Sequence, residues 1–172
     1  PRRAPRLALS YAPTTRTQVF ASYAYASREP AFRDLYDAEG VGSVPLYRRI
    51  DVAAGIYEDP LVRPEHVHDL ELGGAWNGRG VSLSANAYRM DFRDELVYAG
   101  QFNTDLGYPI PGNAAESVHQ GLELEARFAR PNVSGLAAAI DANATLSDNH
   151  FVRYREVYGT TAADQVSYDG KT

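Results

Sequence analysis

The chain has 172 residues, a formal net charge of −5, no cysteine, and a composition that is 44% hydrophobic, 23% charged and 11% aromatic. Leu, Ile, Val and Phe supply only 37 residues, whereas Ala supplies 25 and Tyr 12, which does not describe a Leu-rich soluble interior. Zero cysteine excludes disulfide scaffolds, cysteine zinc sites, iron–sulfur clusters and a cysteine nucleophile. The net acidity, with 16 scattered Arg and the single Lys171, argues against a nucleic-acid partner.

Six alternating runs read as strands in chain order, near residues 6–12, 18–27, 67–77, 81–92, 116–129 and 136–147. In the first, Leu7, Leu9 and Tyr11 oppose Ala8, Ser10 and Ala12. The second is ambiguous: Val19, Ala21, Tyr23 and Tyr25 compete with Phe20, Ser22, Ala24 and Ala26. The third sets Leu70, Leu72, Gly74 and Trp76 against Asp69, Glu71, Gly73 and Ala75, a clear period of two. The fourth changes phase, from Val81, Leu83, Ala85 and Ala87 to Tyr88, Met90 and Phe92, which a bulge near Ala87 would reconcile. The fifth sets Leu122, Leu124, Ala126 and Phe128 against Gly121, Glu123, Glu125 and Arg127. The sixth sets Leu136, Ala138, Ile140, Ala142, Ala144 and Leu146 against Ala137, Ala139, Asp141, Asn143, Thr145 and Ser147.

The connections alternate in length. Pro13–Thr17, Asn77–Gly80 and Arg130–Gly135 are short turns, whereas Arg28–His66, Arg93–Ala115 and the tail Asp148–Thr172 are long. Runs of this length match tilted membrane strands of about 9–11 residues, and short turns opposite long loops suit an outer-membrane barrel. No charge-free run exceeds the eleven residues Thr17–Ser27, short of the roughly 20 that a membrane helix needs. Tyr11, Trp76 and Phe128 near the short turns, and Tyr25, Tyr88 and Phe92 near the long loops, read as two interfacial aromatic girdles. Asp69, Glu71, Glu123, Glu125 and Arg127 then line a wet lumen. A soluble β-sandwich carries the same alternation, and periodicity alone leaves it open.

Two stretches add a resemblance. Ser22–Tyr36 reads SYAYASREPAFRDLY. Val62–Gly73 reads VRPEHVHDLELG, and ANAYRMDFRDELVYAGQ and PGNAAESVHQGLELEARF follow. Arg28–Pro30, Pro64–Glu65, Glu71–Gly73, Ala87–Glu95 and Asn113–Glu125 together resemble the C-terminal half of the barrel of TonB-dependent outer-membrane receptors, over residues 5–147. The resemblance implies an all-β, antiparallel up-and-down transmembrane barrel fragment of about six strands, with short periplasmic turns and long extracellular loops. Residues 1–172 are then a partial barrel domain, truncated at both ends and without plug or TonB box. It further implies a bacterial outer-membrane location, contact with outer-membrane lipid, and a TonB complex acting through the missing N-terminal region. Its function would be energised uptake of a small scarce nutrient, such as a ferric siderophore or other metal chelate. A passive porin-like barrel or a soluble β-sandwich binding module are the alternatives.

Tyr and Arg favour recognition, so Arg33, Tyr36, Tyr47, Arg48, Arg49 and Tyr57 in the first long loop, with Phe102 and Tyr108 in the second, are the ligand-binding candidates. His66-x-His68-Asp69 lacks a third ligand at defined spacing and is not read as a metal site. Glu123 and Glu125 lie about 7 Å apart by strand rise, but no nucleophile–base constellation accompanies them. No enzyme activity and no cofactor are expected.

Overall fold

The computed structural model describes residues 4–35, 47–51, 53–60, 62–102, 109–133, 135–157 and 165–171. Strands β1 (Arg6–Thr14), β2 (Thr17–Arg28), β5 (Glu65–Gly78), β6 (Val81–Phe102), β7 (Pro109–Val133) and β8 (Leu136–Arg153) form one six-stranded sheet in that order. Each strand lies beside the next, antiparallel and up-and-down. A single helical turn α1 (Phe32–Leu35) and the hairpin of β3 (Tyr47–Asp51) and β4 (Ile56–Pro60) interrupt the path from β2 to β5. The all-β architecture expected from the alternating runs is therefore present.

The turns follow from their residues. Between β5 and β6 the reversal narrows to Arg79–Gly80, and Gly80 takes φ +71°, a left-handed value open to glycine. Between β1 and β2, the Thr14 hydroxyl accepts from the Arg16 N–H at 3.1 Å, an ordinary side-chain turn closure.

Two expectations about length are corrected. β6 and β7 span 22 and 25 residues rather than 81–92 and 116–129, so part of the second long loop is strand. Pairing uses backbone groups alone, so a ladder continues where side-chain alternation stops. The tail after Asp148 is not open: β8 continues to Arg153, and β9 (Arg155–Val157) pairs with β10 (Gln165–Ser167). Tyr154 is buried there, its ring 4.8 Å from Phe151 and 5.7 Å from Tyr168, and the Asp169 carboxylate accepts its N–H at 2.9 Å.

The chain forms two compact units, one drawn from residues 1–26, 68–91 and 118–149, the other from 27–67, 92–117 and 150–172. In the first, the sheet has two unlike faces. Cα pairing of Leu7 with Tyr23, Leu9 with Ala21 and Tyr11 with Val19 puts these residues on one side. That resolves the ambiguous second strand: Val19, Ala21, Tyr23 and Tyr25 share the apolar face, and Phe20 and Ser22 the other. Val19, Trp76, Leu83, Leu124, Ala126, Ala142 and Ala144 line one apolar groove of about 610 Å³. Among the described residues the buried apolar side chains are Pro30, Val62, Ala114, Val118 and Tyr154, whereas eighteen large ones are exposed, Leu72 at 63% and Ile140 at 68% among them. A protein in water buries such residues; these face outward instead.

The second unit holds a small core of polar bonds. Glu65, Ser117, Val62 and Ala114 are all buried, and among the described residues Asp94 is the non-glycine residue with positive φ, +51°, a conformation that Asp tolerates better than most.

Candidate functional site

The polar face of the first unit is knit by side chains two residues apart on each strand. Ser84 donates to Glu125 Oε2 and Asn86 to Glu123 Oε2, each at 3.3 Å. Arg127 Nη1 lies 3.3 Å from Asp141 Oδ1, and Gln18 donates to Ser10 Oγ at 2.8 Å. As positions rise along β6 their partners fall along β7, the signature of an antiparallel register. A groove of about 570 Å³ is lined on this face by Phe20, Ser84, Asn86, Glu123, Glu125, Asn143 and Thr145, among others. Glu123, Glu125 and Arg127 thus share a face, as alternation predicts. Asp69 and Glu71 have the parity of Gly73, over which the Phe20 ring lies.

One assignment changes side. The Tyr88 ring and hydroxyl lie over Gly121, where an added Cβ would meet the Tyr88 oxygen at 2.8 Å. Gly121 belongs to the face of Glu123 and Glu125, so Tyr88 stands on the polar side and not among the girdle aromatics. Phe92 has the same parity. The sequence suggested a bulge near Ala87; the partners Ser84–Glu125, Asn86–Glu123 and Tyr88–Gly121 instead step regularly through that point, with Leu83, Ala85, Ala87 and Arg89 on the other side. An aromatic ring sits on the polar face because glycine opposite leaves room for it.

Tyr11, Trp76 and Phe128 are exposed on the apolar face. Tyr25 lies 5.0 Å from the His68 ring, and the Tyr23 hydroxyl shares a 2.8 Å hydrogen bond with His68 Nδ1. The same face carries a polar network. Arg89 pairs with Asp91 at 2.8 Å and donates to Gln120 Oε1 at 3.0 Å, and Gln120 donates to Asp148 Oδ2 at 3.0 Å.

The loop candidates are only partly visible. Tyr36 and Tyr108 lie outside the described residues. Arg33 is in α1, Tyr47, Arg48 and Arg49 are in β3, Tyr57 is in β4, and Phe102 ends β6. The hairpin makes Arg49 and Tyr57 Cα partners, so four of the candidates come together on two short strands.

Residues not singled out for a site make a dense polar cluster. The Glu65 carboxylate accepts from Arg28 Nη2 and from the Leu96 N–H, both at 2.9 Å to the same oxygen. Asn113 accepts the Arg63 N–H at 2.8 Å and donates to the carbonyls of Arg63 (2.9 Å) and Asp94 (2.7 Å). Ser117 donates to Glu95, and Arg153 pairs with Glu116 at 3.0 Å. Bonds to a charged group contribute about 1.5–3 kcal/mol each. The signal was in the sequence: Arg28–Pro30, Pro64–Glu65 and Asn113 are the short motifs quoted above.

Among the described residues, no group of three His, Asp or Glu side chains is placed to hold a metal ion. No helix there is long and apolar enough to cross a membrane, which says nothing of strands.

The profile of the family described as TonB dependent receptor-like, beta-barrel matches residues 3–172. The chain belongs to that family. Two solved structures share the fold of this receptor barrel segment. The siderophore receptor PirA from Pseudomonas aeruginosa matches with TM-score 0.55 and 18% identity, over 84% of this chain and 25% of that one. The copper transporter OprC matches with TM-score 0.59 and 15% identity, over 86% of this chain and 20% of that one. The segment thus spans a quarter or less of either neighbour's length. No curated protein sequence matches it closely enough to count.

Proposed function

We propose that the chain is part of the wall of a barrel in a bacterial outer membrane that takes up a scarce nutrient, energised through the TonB complex. The two-faced sheet is the observation that carries this reading. Its apolar side, with Leu7, Leu9, Leu70, Leu72 and Ile140 exposed, meets lipid, and the side bearing Asp69, Glu71, Glu123, Glu125 and Arg127 lines a wet lumen. A closed barrel satisfies every backbone group in hydrocarbon without a free edge. Tyr11, Trp76 and Phe128 stand at one interface, and Tyr25, with Tyr23 and His68, at the other. The Arg89–Asp91–Gln120–Asp148 network belongs at headgroup depth, because such groups are costly in the hydrocarbon.

The ligand is a metal chelate. Arg and Tyr of the first connection, with Arg49 opposite Tyr57, suit an anionic aromatic complex, and the two structural neighbours are titled for a siderophore and for copper. No covalent chemistry is assigned.

The test is uptake by cells making the intact receptor. Radioiron loaded on catecholate, hydroxamate or carboxylate chelators, and radiocopper as the free ion, serve as probes. Accumulation of at least one probe that disappears without TonB is expected. Equal accumulation with and without TonB makes the barrel passive, and none with any probe removes the metal-chelate reading.

A further inference from the structure

Strand β6 is interrupted near its loop end. Asp94 lies inside Val81–Phe102 yet takes φ +51°, far from the value of about −140° that an antiparallel strand keeps. One left-handed residue inside a strand is the geometry of a β-bulge, in which two residues face one partner. The side chains agree. An unshifted register, continued from Tyr88 over Gly121, would set Phe92 against Ser117, but Ser117 donates to Glu95. Phe92 and Glu95 are an odd number of residues apart, so regular alternation puts them on opposite sides. One inserted residue brings Glu95 round to the side of Ser117.

Backbone groups beside this break are paired by side chains. The Leu96 N–H donates to Glu65 Oε2 at 2.9 Å. Just before β5, the Arg63 N–H donates to Asn113 Oδ1 at 2.8 Å, and the Arg63 carbonyl accepts from Asn113 Nδ2 at 2.9 Å. The planar amide of Asn113 thus treats Arg63 as the backbone of a neighbouring strand would, with one bond given and one taken. Its second amide hydrogen goes to the Asp94 carbonyl at 2.7 Å, at the bulge itself. Arg28 steadies the Glu65 carboxylate from the other side at 2.9 Å, and that side chain is only 10% exposed.

We propose that Glu65 and Asn113 splice the hydrogen-bond ladder across a bulge at Asp94, standing in for backbone partners that the extra residue displaces. β6 can then change the side on which it presents Glu95 while its peptide groups stay paired. The splice does not depend on what the barrel carries.

The test is amide hydrogen exchange on the intact receptor in detergent micelles, read residue by residue by mass spectrometry with electron-transfer fragmentation. Unheated gel mobility certifies that each variant is folded. Before any substitution, the Arg63 and Leu96 amides are both expected to exchange slowly. Glu65→Ala is expected to speed exchange at Leu96 by about tenfold or more, because the lost acceptor is charged, and to leave Arg63 slow. Asn113→Ala is expected to do the converse, speeding Arg63 several-fold with Leu96 still slow. Arg28→Ala leaves the Leu96 N–H its acceptor, and both amides stay slow. If Glu65→Ala does not fold, Glu65→Met replaces it, keeping the length of the side chain without the acceptor. Fast exchange at both amides in the unsubstituted receptor overturns the splice. So does an unchanged Leu96 without the Glu65 carboxylate, an unchanged Arg63 without the Asn113 amide, or equal acceleration of both amides by either substitution. The bulge has its own check. Asp94→Gly and Asp94→Val both remove the carboxylate, but valine resists a positive φ and glycine does not. The valine variant is expected to unfold at the lower temperature, and equal unfolding temperatures overturn the bulge.

Discussion

At the scale of single residues, two glycines decide what the polar face can hold. Phe20 lies over Gly73 and Tyr88 over Gly121, each ring occupying the space a Cβ would take. At Gly121 the crowding includes backbone, since an added Cβ would stand 2.5 Å from the Leu146 carbonyl oxygen. A ring can swing aside, but a paired strand cannot without breaking its ladder. Gly121→Ala is therefore expected to destabilise the intact receptor by about 1–3 kcal/mol, the usual cost of overpacking. The check is the temperature at which the compact form on gels gives way to the unfolded one. Tyr88→Ala in the same background removes the ring but not the carbonyl, and is expected to rescue only part of the loss.

At the scale of the strand, alternation decides which substitutions are tolerated. Ala142 and Asn143 are neighbours on β8, both exposed, on opposite faces. With lipid on the apolar side, Ala142→Arg is expected to cost about 2–4 kcal/mol near mid-depth. Asn143→Arg, facing Glu123 and Glu125 across a wet groove, is expected to cost less than about 0.5 kcal/mol. Equal losses in denaturant unfolding from lipid vesicles would mean that the faces are misassigned. These two faces were legible in the sequence for β5, β7 and β8, where large or apolar residues alternate with polar or small ones. In β2 they were not, because Phe20 and Tyr23 are both large and apolar; only the pairing of Leu7 with Tyr23 separates them. In β6 the aromatic end misled, because the room for Tyr88 is made by a glycine on another strand. The polar cluster around Glu65 and Asn113 was half legible: its residues fell inside recognisable motifs, but bonds between positions 31 and 50 residues apart leave no local pattern. The loop candidates rested on residue type alone, and four of them met on one hairpin because β3 and β4 pair.

At the scale of the whole molecule, the sheet has two unpaired sides. β1 and β8 are its outer strands, and every β1 residue is exposed, as is β8 from Leu136 to Asn149. An open edge with an apolar face is a template for further pairing. Produced by itself and refolded in detergent, the 172-residue chain is expected to self-associate through these edges, whereas the intact barrel stays monomeric. Sedimentation velocity distinguishes the two, and a monomeric, cooperatively melting segment would contradict the prediction. Because these edge bonds are backbone bonds, added salt is expected to disperse the associated copies little.

Trp76 is the one tryptophan of the sequence, and it stands 40% exposed on the apolar side of β5, three residues before the turn to β6. Its indole can be excited selectively, beyond the absorption of the twelve tyrosines, so it reports from one position on the strand. In a receptor whose other indoles are replaced by phenylalanine, its emission should shift to shorter wavelength on reconstitution, and acyl chains brominated near the glycerol should quench it more strongly than chains brominated near the methyl end. The strand thus brings its own optical depth gauge, able to time the arrival of this part of the wall in the bilayer during assembly.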